Sequence, residues 1–124
     1  MFQNQEAKTA LEAENYVIGI LERQKWAILA RNFRRIGCEI DIIALKGQTI
    51  IFVEVKYRSY LPPTLQASTQ TLSRGKRKAL ERGASCFLQF YEEKLPHWKT
   101  LRFDLALVSS HRGAFKMKYF PGFQ

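Results

Sequence analysis

The sequence predicts an α/β fold: a mixed central sheet whose faces are covered by helices. Two observations carry the prediction. Two long segments repeat apolar residues at helical spacing, and strand-length runs rich in β-branched residues lie between and after them. The length agrees, because 124 residues fit one compact domain, 1–124, and leave no room for two.

Taken in order, residues 5–24 read as an amphipathic helix whose stripe is Ala7, Ala10, Leu11, Val17, Ile18 and Leu21. Trp26, Ile28 and Leu29 then open an extended stretch towards Phe33. Residues 39–45 form a strand, Lys46-Gly47-Gln48 a turn, and 49–57 the second strand of a hairpin. The nearly continuous apolar character of that second strand predicts cover on both faces. Residues 61–73 open with Leu61-Pro62-Pro63 and continue with Ser, Thr and Gln, the composition of a mobile loop. Residues 74–91 return to helix, with Leu80, Ala84, Phe87, Leu88 and Tyr91 on one side, and Pro96 stops the segment after it. Residues 101–109 form a further strand, and 117–120 a short last one.

Composition narrows the function. With 46% hydrophobic and 25% charged residues the chain can build an ordinary core. Its 20 Lys and Arg against 11 Asp and Glu leave a charge of +9, which points to a polyanionic partner, nucleic acid before an inert basic surface. Cys38 and Cys86 form no CxxC pair, and with only His97 and His111 beside them a structural zinc site is not expected. Both thiols read as small buried hydrophobes of a reducing compartment. The N-terminus has no apolar signal region and no run approaches a membrane span, so a cytoplasmic location is the expectation.

Several polar residues are out of place. Strand alternation puts Ile50, Phe52, Glu54 and Lys56 on one face. A solvent-facing stripe would not hold Ile and Phe, and a buried one would not tolerate Glu and Lys unless they were paired or bound an ion. Counting back from Gly47 sets Asp41, among Ile40, Ile42 and Ile43, opposite Glu54, with Lys56 one pleat farther on. Mg²⁺ takes one or two carboxylates and leaves its other positions to water and substrate phosphate, and a lysine beside it can orient the water or neutralise developing charge. The plainer reading is an ion pair of Lys56 with Glu54 or Asp41, a weak reason to bury charge. Glu14 falls within the apolar stripe of the first helix, between Leu11 and Ile18, where it wants a cation. It becomes a third ligand, or orients one; alternatively it reaches an arginine at the helix margin.

Gly37-Cys38-Glu39-Ile40-Asp41-Ile42-Ile43-Ala44 followed by Phe52-Val53-Glu54-Val55-Lys56-Tyr57-Arg58-Ser59 resembles the YraN family of small bacterial proteins. Ala13-Glu14-Asn15-Tyr16, Leu21-Glu22-Arg23-Gln24 and Arg102-Phe103-Asp104 extend the resemblance over most of the chain. It implies a PD-(D/E)xK nuclease-like fold similar to Holliday-junction resolvases, a restriction-endonuclease-like α-β-β-β-α-β sandwich. It also implies that Asp41 is the motif aspartate, Glu54-Val55-Lys56 the E-x-K element and Glu14 the acidic residue of the first helix. The family places Gly directly before E-I-D, where this chain has Cys38, and Lys-Gln early in its second long helix, where Lys76 is followed by Arg77.

Together these readings predict an endonuclease dependent on Mg²⁺ or Mn²⁺ that hydrolyses DNA, with branched or structured DNA as the analogy. Asp41, Glu54 and Glu14 would hold the metal, and Lys56 would act on the attacking water. Arg74, Lys76, Arg77 and Lys78 (with Arg82) at the start of the second helix, Arg34 and Arg35 (with Arg31) before the Asp41 strand, and Arg58 are the expected phosphate contacts. Tyr57 and Tyr60 fit packing better than base stacking, Glu39 shares Asp41's strand face as a supporting acid, and Asp104 reads as a structural hydrogen-bonding residue. A homodimer would suit two symmetric cuts. The alternatives are a nucleic-acid-binding module that does not cleave, and a structural partner protein that binds no metal.

Overall fold

A computed structural model describes residues 2–59, 61, 74–94 and 97–122, with the side chains of 2–7, 74–77 and 92 outside that description. The expected loop at 61–73, apart from Leu61, and the stop at Pro96 lie outside the described residues, as does Tyr60. The elements are α1 (Phe2–Arg23), β1 (Ala27–Arg35), β2 (Cys38–Lys46), β3 (Thr49–Tyr57), α2 (Arg74–Tyr91), a 3₁₀ turn (Glu92–Lys94), β4 (Thr100–His111) and β5 (Ala114–Phe120). The α-β-β-β-α-β order is as expected, with β5 added as a full strand rather than a stub. Arg112 and Gly113, both at positive φ, make the turn that returns the chain along β4.

Strand order in the sheet is β1-β2-β3-β4-β5. Neighbours are antiparallel except β3 and β4, which are parallel. A parallel pair needs a long crossover, and the segment that contains α2 supplies it. The sheet is therefore mixed, with α1 packed on one face and α2 on the other.

On the α1 side, Ala13, Val17, Ile18 and Leu21 cover Ile42, Ala44, Ile51, Val53, Ala106 and Val108. On the α2 side, Leu80, Ala84 and Phe87 cover Phe33, Ile40, Ile43, Ile50, Phe52, Leu105 and Leu107. β3 is thus buried on both faces, which is why it reads as a continuous apolar run. Among the described side chains of α1, Ala13 is the first buried one; Ala10 and Leu11, expected in the buried stripe, are exposed, and the Ala7 side chain lies outside the described residues. α2 approaches β2 closely at Gly83, where a Cβ would stand 2.8 Å from Ile40 Cγ1. At the same crossing Cys86 lies beside Cys38, and burial first, then that contact, pushes the Cys86 thiol up; both are free thiols, Cys38 buried and Cys86 half-buried. No helix among the described residues is long and apolar enough to cross a membrane.

Candidate active site

The geometry of the site follows from where the strand ladders stop. The β2–β3 ladder runs from Lys46↔Thr49 to Ile42↔Val53 and ends there. Its next pair would be Asp41 and Glu54. β1 and β2 stay paired beyond that point, to Arg35↔Cys38, and β3 and β4 stay paired to Tyr57↔Val108. The sheet therefore forks, and Asp41 and Glu54 sit where its two arms part.

Asp41 itself closes the ladder. Its Oδ2 accepts a hydrogen bond from the Val55 N–H at 2.8 Å, so a side chain satisfies the donor that the next backbone pair would have used. The alternation of β2 slips at the same residue: Ile40 packs on the α2 side, Ile42 on the α1 side and Ile43 on the α2 side again. Glu39 is exposed and pairs with Arg34 across the hairpin, Oε1 to Nη1 2.5 Å.

Glu54 is buried, with 2% of its surface exposed, and Lys56, on the same face of β3, brings Nζ to 3.1 Å from its Oε1. The Asp41 and Glu54 carboxyls stand side by side, close enough to interact electrostatically. Burial first and the Glu54 charge second push the Asp41 carboxyl up to about 7, against the Val55 hydrogen bond, which pulls it down. Glu14 is half-buried on α1, and burial raises its pKa. It accepts a hydrogen bond from the Asn32 side chain, feels the Arg31 and Arg34 charges, and adds its own to both Asp41 and Glu54.

The structure thus brings Asp41, Glu54 and Lys56 together and stands Glu14 next to them. Among the described residues no three Asp, Glu, His or Cys side chains are gathered closely enough to hold one ion in common. The donor set that is assembled suits a divalent cation: two adjoining carboxyls, one of them raised to about 7 by confinement beside the other, are what a hard cation would neutralise.

The sequence reading missed Asn32. Arg31↔Ile42 and Phe33↔Ile40 bracket it, so it faces Asp41 across β1–β2. It adopts φ 49°, left-handed backbone in mid-strand, and directs its amide to Glu14. The available signal was an Asn inside a strand, a residue that tolerates this conformation. Asn15, one residue after Glu14, accepts a hydrogen bond from Arg31.

The expected phosphate contacts divide. Arg34, Arg35 and Lys78 are exposed and Arg58 is half-buried, its N–H donating to the Val108 carbonyl and its Nη1 to the Tyr57 carbonyl. The backbone of Arg74, Lys76 and Arg77 lies in the first turn of α2, and their side chains lie outside the described residues. Tyr57 packs edge-on to Phe115 and shares a 2.5 Å hydrogen bond with Ser110 Oγ. His97 and His111 are exposed. Asp104 is buried with a full set of donors: it accepts from Arg102 Nε and Nη2 (2.8 and 2.9 Å), the Gly122 N–H (3.0 Å) and the Tyr119 hydroxyl.

The model of the uncharacterised protein family UPF0102 matches residues 13–108. The chain belongs to that family. UPF0102 is the YraN family that the sequence resembles. A UPF0102 protein of Pseudomonas putida (strain GB-1) is 36% identical over 110 residues, covering 86% of this chain and 85% of the relative. Another, from Halorhodospira halophila, is 37% identical over 109 residues, covering 88% and 84%. A third, from Methylocella silvestris, is 39% identical over 100 residues, covering 81% and 76%. The UPF0102 match takes in Glu14, Asn32, Asp41, Glu54 and Lys56, so the whole constellation lies inside the family region.

Proposed function

We propose that the protein is a metal-dependent phosphodiesterase that cuts DNA, with Asp41 and Glu54 as ligands of Mg²⁺ or Mn²⁺ and Lys56 as the cationic partner of the attacking water. The observation that carries this reading is the adjoining pair of carboxyls at the fork of the sheet, with an ammonium 3.1 Å from one of them. Confining two carboxyls this way disfavours the ionised state, and a structural role gives no reason to retain the arrangement. A bound divalent cation would neutralise the pair, polarise a phosphodiester and lower the pKa of a coordinated water.

The chain's own residues supply the rest. Asp41 holds its carboxylate against the Val55 N–H, which fixes its orientation. Lys56 stays tethered by Glu54, within reach of a water or a phosphate oxygen at the fork. Glu14, held by Asn32, adds negative charge that favours a cation. The +9 charge of the chain favours a polyanionic substrate.

The test is cleavage of linear, single-stranded and four-way-junction DNA in Mg²⁺ or Mn²⁺, with EDTA controls and the Lys56→Ala protein. Metal-dependent cleavage that disappears in the variant is the expected result. Binding without cleavage in either metal would make the protein a nucleic-acid-binding module, and no binding at low salt would remove nucleic acid altogether.

A further inference from the structure

The arm of the fork formed by β1 and β2 ends in a two-residue turn, Ile36-Gly37, closed by the Arg35↔Cys38 pair. Gly37 has φ 78° and Ile36 does not share the positive sign, the pattern of a type II turn with glycine in its second central position. The first central position usually carries Pro or a polar residue. Here it carries an isoleucine whose side chain is entirely in solvent.

A lone exposed apolar residue is ordinary on a protein surface. This one differs in how it is held. Arg34 ties the base of the turn to Glu39 on the opposite strand. Arg35 lays its guanidinium over the Phe33 ring, 4.6 Å from its centre, and over exposed Phe90 of α2 at 5.0 Å. Arg82, also on α2, reaches the Gly37 carbonyl with Nη2 at 3.4 Å. Three arginines therefore brace a turn whose outermost group is apolar, and the strands below it lead directly to Asp41. A tip held this way cannot fold back to hide its side chain.

We propose that Ile36 is a wedge that enters a base step of bound DNA, with the guanidinium edges of Arg34, Arg35 and Arg82 facing the flanking phosphates. The inference rests on the DNA reading above and adds a substrate preference to it. An apolar wedge between bases must unstack them, at least expense where pairing is already broken. The favoured substrate is then a duplex with a mismatched or unpaired step, and the wedge would place that step beside the fork.

The experiment is binding without metal, so that it does not depend on cleavage. Two duplexes carry 2-aminopurine, one fully paired and one with a central mismatch beside the probe, and each is titrated with the wild-type, Ile36→Ser and Ile36→Phe proteins. Wild type should bind the mismatched duplex about tenfold more tightly, because less unstacking is needed there, with a rise in fluorescence as the probe unstacks. Ile36→Ser should lose both effects while binding the paired duplex within about twofold of wild type, and Ile36→Phe should keep both. Tight binding by wild type with no mismatch preference, or a preference that survives Ile36→Ser, overturns the wedge and leaves the DNA reading standing. Absence of binding by every protein overturns both. Wild-type self-association in sedimentation that Ile36→Ser abolishes would make the tip a contact between copies and also overturns the wedge.

Discussion

The sheet buries acidic side chains in two places, and it treats them oppositely. Asp104 on β4 is fully buried and fully served: two guanidinium nitrogens, a tyrosine hydroxyl and a backbone N–H all donate to it. Its neighbourhood responds accordingly, with Arg102 held more firmly protonated and the Tyr119 hydroxyl made harder to ionise, chiefly by burial. At the fork, Asp41 and Glu54 share a site with each other, and one backbone N–H and one lysine are the partners that stand out. The first arrangement lowers the energy of the fold. The second holds like charges together, which raises it, and such strain persists where a ligand repays it. A carboxylate surrounded by donors serves the fold, whereas the crowded carboxylates beside a lysine are the feature on which the proposed function rests.

The largest effect that would break this contrast is on cleavage. Lys56→Ala should lower the metal-dependent rate by about 10²–10⁴-fold while leaving the melting temperature nearly unchanged, since Lys56 is partly exposed. Asp41→Asn should be at least as damaging to the rate, because the amide keeps the Val55 hydrogen bond but removes the charge that binds a cation. The check is single-turnover cleavage beside thermal unfolding of each protein. A rate loss that merely follows a loss of folded protein would return the trio to a structural role.

Asp104→Ala should do the reverse. It strands a half-exposed guanidinium, a half-buried hydroxyl and the Gly122 N–H, and leaving such donors without their acceptor costs about 1–3 kcal/mol. Denaturant unfolding should show that loss, while the protein that remains folded keeps its cleavage rate. A stable Asp104→Ala protein with impaired cleavage would move Asp104 into the functional site.

Comparable in size is the pH dependence of the metal-free protein. Asp41 titrates near 7 when folded and about 3.9 when unfolded, so between those values the folded state holds a proton that the unfolded state has released. Its contribution to stability is present in full below pH 4 and is lost as the pH rises towards 7, a fall on the order of 2–4 kcal/mol. Asp41→Asn has nothing to titrate there and should be more stable than wild type at pH 8, and saturating Mg²⁺ should close the gap by stabilising only the wild type. The measurement is unfolding free energy against pH for both proteins, with and without the ion. Parallel curves would mean that the carboxyls do not strain one another.

Much of this contrast was legible in the residues, and the part that was not has a physical cause. Glu54 and Lys56 betray themselves because period-2 alternation sets them on the face of Ile50 and Phe52, and the Gly47 turn counts Asp41 to a place opposite Glu54. Asp104 is conspicuous in an apolar strand. What alternation cannot reveal is where a ladder stops, because that depends on a side chain taking a backbone partner, as Asp41 does with Val55. The slip of β2 between Asp41 and Ile42 accompanies it. Leu11 has the right spacing yet is exposed, because spacing alone does not register which turns of a helix are covered. The closeness of Cys38 to Cys86, and the need for glycine at position 83, belong to the α2–β2 crossing, a tertiary fact with no local signature.

Asn32 offers the smallest and sharpest test, because it belongs to neither region's ligand set yet touches one of them. Its left-handed backbone would cost most residues about 1–3 kcal/mol, and its amide donates to Glu14. Asn32→Gly separates these roles: glycine takes φ 49° without strain, so the backbone is relieved while the hydrogen bond, worth about 1 kcal/mol, is lost. The two changes oppose each other, and stability should stay within about 1 kcal/mol of wild type. Glu14 loses the donor that aims it, so apparent Mg²⁺ affinity in the cleavage assay should weaken by about three- to tenfold, with the rate at saturating ion largely preserved. Asn32→Ala keeps the strain and loses the bond, and should be the less stable of the two with the same weakened affinity. If both variants bind Mg²⁺ as wild type does, Glu14 takes no part in holding the ion, and the metal rests on Asp41 and Glu54 alone.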